Sequence, residues 1–350
     1  MVLRPLEGST SSTQPQISVV IPVKNGATFI KDAIQSMVLQ SLKPLEIIVI
    51  DDNSTDRTVQ IVKTIRKTNP IIKIIKSNGK GISSALNLGI QMSCGQWIAR
   101  MDADDISSPK RLEEQYEYAM LQRLDIVGCN CKLFGASNGE LDYPENHDAC
   151  KVKQVIASPI AHPSAFIKKR VFNQLLYRKD YDKVEDYDLW ERAFRNGFRF
   201  GNVQKYLLSY RVHSAQVTKN DYDFRREKAR IIRIRSLFLI MPHWSKEQVA
   251  ETIDFLFYDG HPSKKTINFL LEFLHRIDES NAFIMQPYLR SAFFRRPGRF
   301  LDVLNFWIIH FGRTKKISVL ITGLLLTVLC LLGEQFRIKF TRLRKKLLAN

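Results

Sequence analysis

Apolar runs rich in β-branched residues recur along the front of the chain, at 17–21, 45–50, 71–75, 97–101 and 126–134. Between them, 28–39, 55–67, 82–92 and 109–121 carry apolar residues at three- and four-residue spacing, as a helix with one buried face requires. In 28–39 the stripe is Phe29, Ala33, Ile34, Met37 and Val38. Alternation of this kind predicts an α/β fold with a mainly parallel central sheet and helices on both faces. Open sheets of that class take ligands at the carboxyl ends of their strands. Polar residues collect at three such ends, at 22–25, 51–53 and 102–105.

Past about residue 142 the rhythm breaks. The pattern predicts short strands at 165–167 and 206–211 and helices at 170–176 and 186–195. Residues 224–295 read as helical, divided by Pro242, Pro262 and Pro287 into separate helices. Residues 317–333 then run without a charge between Arg313, Lys315 and Lys316 on one side and Arg337, Lys339, Arg342, Arg344, Lys345 and Lys346 on the other. As a helix this segment would span about 26 Å, slightly under the ~30 Å of a hydrocarbon core. The sequence therefore divides into an α/β domain at 16–220, a helical basic region at 221–312, and an apolar segment with basic flanks at 313–350. That last segment is a candidate membrane anchor; spanning, lying on, or avoiding the bilayer all remain open.

The chain has 350 residues, 45% hydrophobic and 25% charged, enough to bury a full core. Its charge is uneven. Residues 1–224 hold 30 Lys and Arg against 25 Asp and Glu, net +5, whereas 225–350 hold 23 against 10, net +13. A basic rear can meet nucleic acid or an anionic membrane surface. It contains no zinc-ligand pair, no interleaved stacking aromatics and no nucleic-acid module, so no nucleic-acid partner is expected and the membrane surface is. Five cysteines (Cys94, Cys129, Cys131, Cys150 and Cys330) share no metal-ligand spacing and read as buried thiols of a reducing compartment. The first fifteen residues are polar and lack the apolar core of a secretory signal, so the front domain is expected in the cytoplasm, on the inner face of a membrane.

Asp102, Asp104 and Asp105 put three carboxylates within four residues, directly after a buried strand. They repel one another unless a cation or strong donors compensate, and a hard divalent ion, Mn2+ or Mg2+, does so. A helix cap before Pro109 could use one of the three acids and leaves two over. Asp51 and Asp52 end a second strand; Ser54 or Thr55 can cap the following helix, which leaves those two carboxylates free to accept from a ribose or a base. The first turn lacks G-x-G-x-x-G, which argues against a nicotinamide-type dinucleotide. At 185–191, Glu185, Asp186 and Asp188 can be partners of a helix dipole, or one can be a general base, and the residues alone leave both open. A lone histidine such as His213 is more often structural than a ligand.

Taken in order, these residues resemble glycosyltransferase family 2, with its nucleotide-sugar-binding GT-A fold. The matches are Ser18-Val19-Val20-Ile21-Pro22, Val49-Ile50-Asp51-Asp52-Asn53-Ser54-Thr55-Asp56, Ala99-Arg100-Met101-Asp102-Ala103-Asp104-Asp105, His162-Pro163-Ser164, Glu185-Asp186-Tyr187-Asp188-Leu189-Trp190 and Tyr210-Arg211-Val212-His213. The resemblance implies that Pro22 and Val23 line the base pocket, that Asp52 accepts from the base, and that Asp102 is an acid on the ribose or phosphate side. It implies Asp104 as a ligand of manganese or magnesium on the donor diphosphate (the DxD motif), with His213 as a further metal or diphosphate ligand. Asp186 is then the general base and Glu185 lies near the acceptor. The expected activity is inverting, metal-dependent sugar transfer from a nucleotide-diphosphate sugar to a hydroxyl of a glycan or lipid-linked acceptor, in surface polysaccharide synthesis. Transfer to a polyprenyl phosphate and a catalytically silent nucleotide-sugar-binding scaffold are the alternatives. The retained acids speak against the scaffold.

Overall fold

A computed structural model describes residues 14–78, 81–213, 222–258 and 264–277, together with Ile284, Met285, Leu289 and Ala292. Nine strands and ten α-helices are assigned among them. In chain order they are β1 (Ile17–Val23), α1 (Ile30–Val38), β2 (Glu46–Asp51), α2 (Thr58–Arg66), β3 (Ile72–Lys76), α3 (Ile82–Met92), β4 (Trp97–Arg100), β5 (Ile106–Ser107), α4 (Arg111–Leu121), β6 (Ile126–Gly135) and β7 (Gly139–Leu141). There follow α5 (His147–Gln154), β8 (Phe166–Lys168), α6 (Lys169–Phe172), α7 (Glu185–Arg195), β9 (Phe200–Val212), α8 (Tyr222–Ile240), α9 (Lys246–Phe257) and α10 (Lys264–Arg276).

One sheet runs β3-β2-β1-β4-β8-β6-β9-β5, with β7 added on β6. Its first four strands are parallel, as the strand–helix alternation predicts. Beyond them antiparallel strands join the parallel ones. β8 lies antiparallel to both β4 and β6, β5 is antiparallel to β9, and β7 to β6, while β6 and β9 are parallel. Connection length accounts for one of these pairings. A parallel neighbour needs a crossover of a dozen or more residues, which β7 lacks because it follows directly on β6; β5 and β8 instead meet strands far away in the chain. The sheet is mixed.

The parallel strands are legible because both faces are covered. Every residue of β2 is buried, so it reads as an unbroken apolar run rather than an alternation. Helix α1 lays Ile30, Ala33, Ile34 and Met37 into the same core as Ile17, Val19, Ile47 and Val49. Trp97 on β4 stacks on Phe166 of β8, with centroids 4.6 Å apart and planes 8° apart, which welds the antiparallel insertion to the parallel half.

The chain divides into two compact units. The first comprises Met1–Tyr143, Ile160–Leu189 and Phe198–Thr218; the second comprises Pro144–Pro159, Trp190–Gly197 and Lys219–Asn350. Within the second, Val152 of α5 and Val155 and Ile156 just after it share a core with Leu237, Trp244, Val249, Ile253 and Leu270. Helix α5 starts at Asn146, whose side chain accepts from the Ala149 N–H, and α9 starts with a Ser245–Gln248 capping box. Helix α8 ends at Ile240, just ahead of Pro242. Among the described residues no helix is long and apolar enough to cross a membrane. The apolar segment 317–333 and its basic flanks lie outside the described residues.

Candidate functional site

Strands β2, β1 and β4 are parallel neighbours, so their carboxyl ends share one edge of the sheet. The loop after β1 is laced to the loop after β2. Asn25 N–H donates to Ser54 Oγ (2.9 Å), Gly26 N–H to Thr58 Oγ1 (2.9 Å) and Ala27 N–H to Asp56 Oδ2 (3.0 Å), while Asn25 Oδ1 accepts from Thr55 N–H (2.8 Å). Asn25 and Asn53 supply left-handed backbone, at φ 54° and 60°, which asparagine tolerates better than most side chains. Ser54 and Thr55 therefore fasten the loop; α2 begins after Arg57 with no side-chain cap. Gly26 must be bare, because a Cβ there would sit 2.5 Å from Val23 Cγ2.

This lacing fixes the expected base-binding residues. Pro22 and Val23 close β1, and the Asp52 N–H donates to the Val23 carbonyl at 2.8 Å. The Asp52 carboxylate is buried and accepts from Ser77 Oγ, a partner that the sequence reading did not single out. Asp51 turns inward and accepts from the Ser54 N–H at 3.3 Å.

Asp102, Asp104 and Asp105 bring one carboxylate oxygen each within 4.8 Å of the others. Pairing of β5 with β9 sets Ile106 opposite Ser209 and so lays the acids against the end of β9. As a result His213 Nε2 lies 2.9 Å from Asp104 Oδ2, across 109 residues of sequence. Arg211 braces the same corner. Its guanidinium sits 4.3 Å above the rings of both Phe29 and Phe134, and its Nε donates to the Asp104 carbonyl at 2.7 Å. Asp105 is no helix cap: Lys110 precedes α4, and Asp105 Oδ1 accepts from the Arg211 N–H at 2.8 Å. Its other oxygen is buried without a hydrogen-bond partner, and burial, with Asp102 beside it, pushes this carboxyl well above the usual range. Carboxylate oxygens and one imidazole nitrogen form a donor set that suits Mn2+ or Mg2+, and the unpaired Asp105 oxygen and mutual repulsion of the acids are what a cation would relieve.

A second group joins His162 to Glu185 and Asp186, again within 4.8 Å. His162 Nδ1 is 3.5 Å from Glu185 Oε1, and Nε2 shares a 2.9 Å hydrogen bond with Tyr177 Oη. Tyr177 is placed by Asn87 of α3, whose amide clamps the Tyr177 backbone at 2.9 and 3.0 Å. Burial, then Arg100, pushes the His162 pKa down to about 3, while burial pushes Glu185 up. Asp186, next to Glu185 at the start of α7, is only half-buried. Sequence reasoning quoted His162 without giving it a role, and missed Tyr177 altogether.

The His162 shift has a measurable sign. Between its ordinary value of 6.5 and about 3, the unfolded chain binds a proton that the folded chain refuses. Its contribution is therefore present above pH 6.5 and lost progressively on acidification through that window. Glu185, shifted upward, works in the opposite direction: its contribution is present at low pH and lost as pH rises through its folded value. The melting temperature is expected to fall below about pH 6.5, and to fall less steeply in His162→Gln. Equal slopes would place the titration elsewhere.

A mixed sheet with acids collected at the carboxyl ends of its parallel strands agrees with the fold that the sequence resembles. Residues 18–199 match the model of Glycosyl transferase family 2, and the chain belongs to that family. Among its relatives is the O-antigen biosynthesis glycosyltransferase WbnJ of Escherichia coli, 32% identical over 216 residues, which cover 58% of this chain and 82% of WbnJ. Among solved structures, S. aureus TarS 1-349 in complex with UDP-GlcNAc aligns with a TM-score of 0.57 at 18% identity, covering 87% of this chain and 89% of that one. The mannosyltransferase PcManGT from Pyrobaculum calidifontis, in complex with GDP-Man and Mn2+, aligns with a TM-score of 0.50 at 16% identity, covering 80% and 86%. At such identities the structural likeness concerns the fold alone.

Proposed function

We propose that the chain is an inverting, metal-dependent glycosyltransferase that moves a sugar from a nucleotide-diphosphate sugar to a hydroxyl of a glycan or lipid-linked acceptor in surface polysaccharide synthesis. The observation that carries this reading is the pair of separate acid groups in one unit, Asp102/Asp104/Asp105 and His162/Glu185/Asp186. One suits a cation and a diphosphate; the other suits a proton. The relative named for O-antigen biosynthesis and the like-folded proteins holding UDP-GlcNAc or GDP-Man with Mn2+ support the donor and product classes.

In this reading Pro22, Val23 and Asp52 receive the base and Asp102 the ribose or phosphate side. Asp104 and His213 would hold Mn2+ or Mg2+, which when bound offsets negative charge developing on the leaving diphosphate. The acceptor oxygen attacks the anomeric carbon, its proton passes to Asp186, and the bond to the diphosphate breaks on the opposite face. A panel of nucleotide sugars, assayed for release of nucleoside diphosphate with and without MnCl2, tests this. Metal-dependent release from at least one donor is expected, and none from any donor would sink the reading.

The basic rear and the segment 317–333 support a place on the cytoplasmic face of a membrane, with anionic lipid meeting the flanks at about 1 kcal/mol per charge. Full-length protein is expected to sediment with vesicles at high salt. Recovery in the supernatant at low salt would remove the anchor from the reading.

A further inference from the structure

Two arginines are buried beneath the site, and they differ in kind. Arg111 is 0% exposed and each guanidinium nitrogen is engaged: Nε with Gln115 Oε1 at 3.1 Å, Nη1 with Met101 Sδ at 3.4 Å, and Nη2 with the Arg100 carbonyl at 2.6 Å. None of these partners is a carboxylate, so Arg111 is a satisfied strut of the core. Arg100 is 3% exposed, yet only Nη2 is occupied, in a 2.6 Å ion pair with Asp102 Oδ1; its Nε and Nη1 are buried and unbonded. On the acceptor side Glu185 mirrors it, with a buried Oε2 that also lacks a hydrogen bond.

An idle, dry guanidinium is expensive, and packing alone would favour an apolar side chain of similar volume. What offsets the burial of Arg100 is the field of carboxylates on two sides, Asp102 by contact and Glu185 through space. The influence is mutual: Arg100 favours the ionised form of Glu185 and disfavours a charge on His162. Its backbone is pinned at both ends of the residue, the N–H donating to the Ala165 carbonyl at 2.8 Å and the carbonyl held by Arg111. The cation is thus fixed by β4 and not by a ligand.

We propose that Arg100 is a positioning residue that ties the donor-side carboxylate Asp102 to the acceptor-side pair His162 and Glu185, so that the two acid groups act as one unit. This rests on the reading of Asp102 as donor-side and of Glu185 and Asp186 as acceptor-side. A merely structural arginine would affect folding and leave the effects of other site substitutions independent. A tie makes them dependent.

The test is a pair of double-substitution cycles in the full chain. Binding of UDP and of GDP, each with MnCl2, is measured by calorimetry, and kcat as nucleoside diphosphate release from whichever sugar nucleotide the wild type turns over. Arg100→Met is expected to weaken nucleotide binding and lower kcat, each by about tenfold or more, in place of the usual effect on one alone. Adding Asp102→Asn to Arg100→Met should weaken binding by less than about twofold further, and Glu185→Gln should lower kcat less in Arg100→Met than in the wild type. Arg100→Lys, which keeps the charge and most of the volume, covers the case in which the Met variant does not fold. Its shorter head draws the charge back from Asp102 Oδ1, so kcat should fall about tenfold while its melting temperature stays within a few degrees of wild type. Effects that multiply independently, or wild-type turnover in Arg100→Lys, overturn the proposal. A wild-type chain that binds neither nucleotide and releases none takes down the transferase reading, and this one with it.

Discussion

Asp104→Ala is expected to abolish metal-dependent turnover and to weaken binding of a nucleoside diphosphate with Mn2+, while leaving the melting temperature nearly unchanged. The substitution removes the one carboxylate that His213 approaches, at 2.9 Å, and so takes one of the two expected ligands and frees the other. Charge stabilisation of a leaving group in a preorganised site is worth about a hundred- to a thousandfold in rate for a single donor, and a metal ligand should lie at the upper end of that. Stability should be spared for two reasons. The Asp104 side chain is 28% exposed and packs little, and the contact that braces Arg211 uses the Asp104 carbonyl, which alanine retains. Removing one of three crowded carboxylates also relieves repulsion on Asp102 and Asp105. Calorimetry with MnCl2 and UDP or GDP reads the binding, and differential scanning the stability. Binding at wild-type strength in the variant would move the cation away from Asp104, and a large drop in melting temperature would make Asp104 a structural acid.

The parts of this protein that can be read from its residues are those that burial makes monotonous. β2 and β1 are apolar because both faces are covered, and acids placed directly after such runs stand out because nothing in a strand end requires them. Asp52, Asp102 and Asp104 were visible for that reason. β5 and β7 were not, because two or three residues carry no period. Nor was the direction of β8: three residues between β4 and β6 say nothing about which way they run, and β8 is antiparallel to both. Helix α5 was missed because its sequence is mostly polar, its clearest signal being the Asn146 cap. The partners of the acids were hidden for a different reason. His213 meets Asp104 and Arg211 meets Asp105 only because β5 pairs with β9, and Arg100 is an ordinary strand residue until the fold buries it against Asp102.

The largest effect on the chemical step is expected from Asp186→Asn, which keeps the shape of the side chain and removes its ability to take a proton. Three acids open α7, and the structure separates them. Asp188 is fully buried, 3.9 Å from Arg178, and cannot meet an acceptor hydroxyl. Glu185 is 6% exposed, lies against His162, and is pushed toward the protonated form by burial, so it is better suited to orienting than to accepting. Asp186 is the half-buried member, in the first turn of an eleven-residue helix, and so the acid of the three that an acceptor can reach. A placed general base contributes roughly a hundred- to ten-thousandfold, so kcat should fall by that factor. Donor affinity should stay within a few-fold, because the residues expected to bind base and diphosphate, Asp52, Asp102, Asp104 and His213, are untouched. The split between kcat and nucleotide binding separates loss of a base from loss of the site, and an unchanged melting temperature separates both from misfolding. A variant that keeps most of its turnover would return Asp186 to the role of a helix-start acid and pass the proton to Glu185, where Glu185→Gln should then produce the collapse.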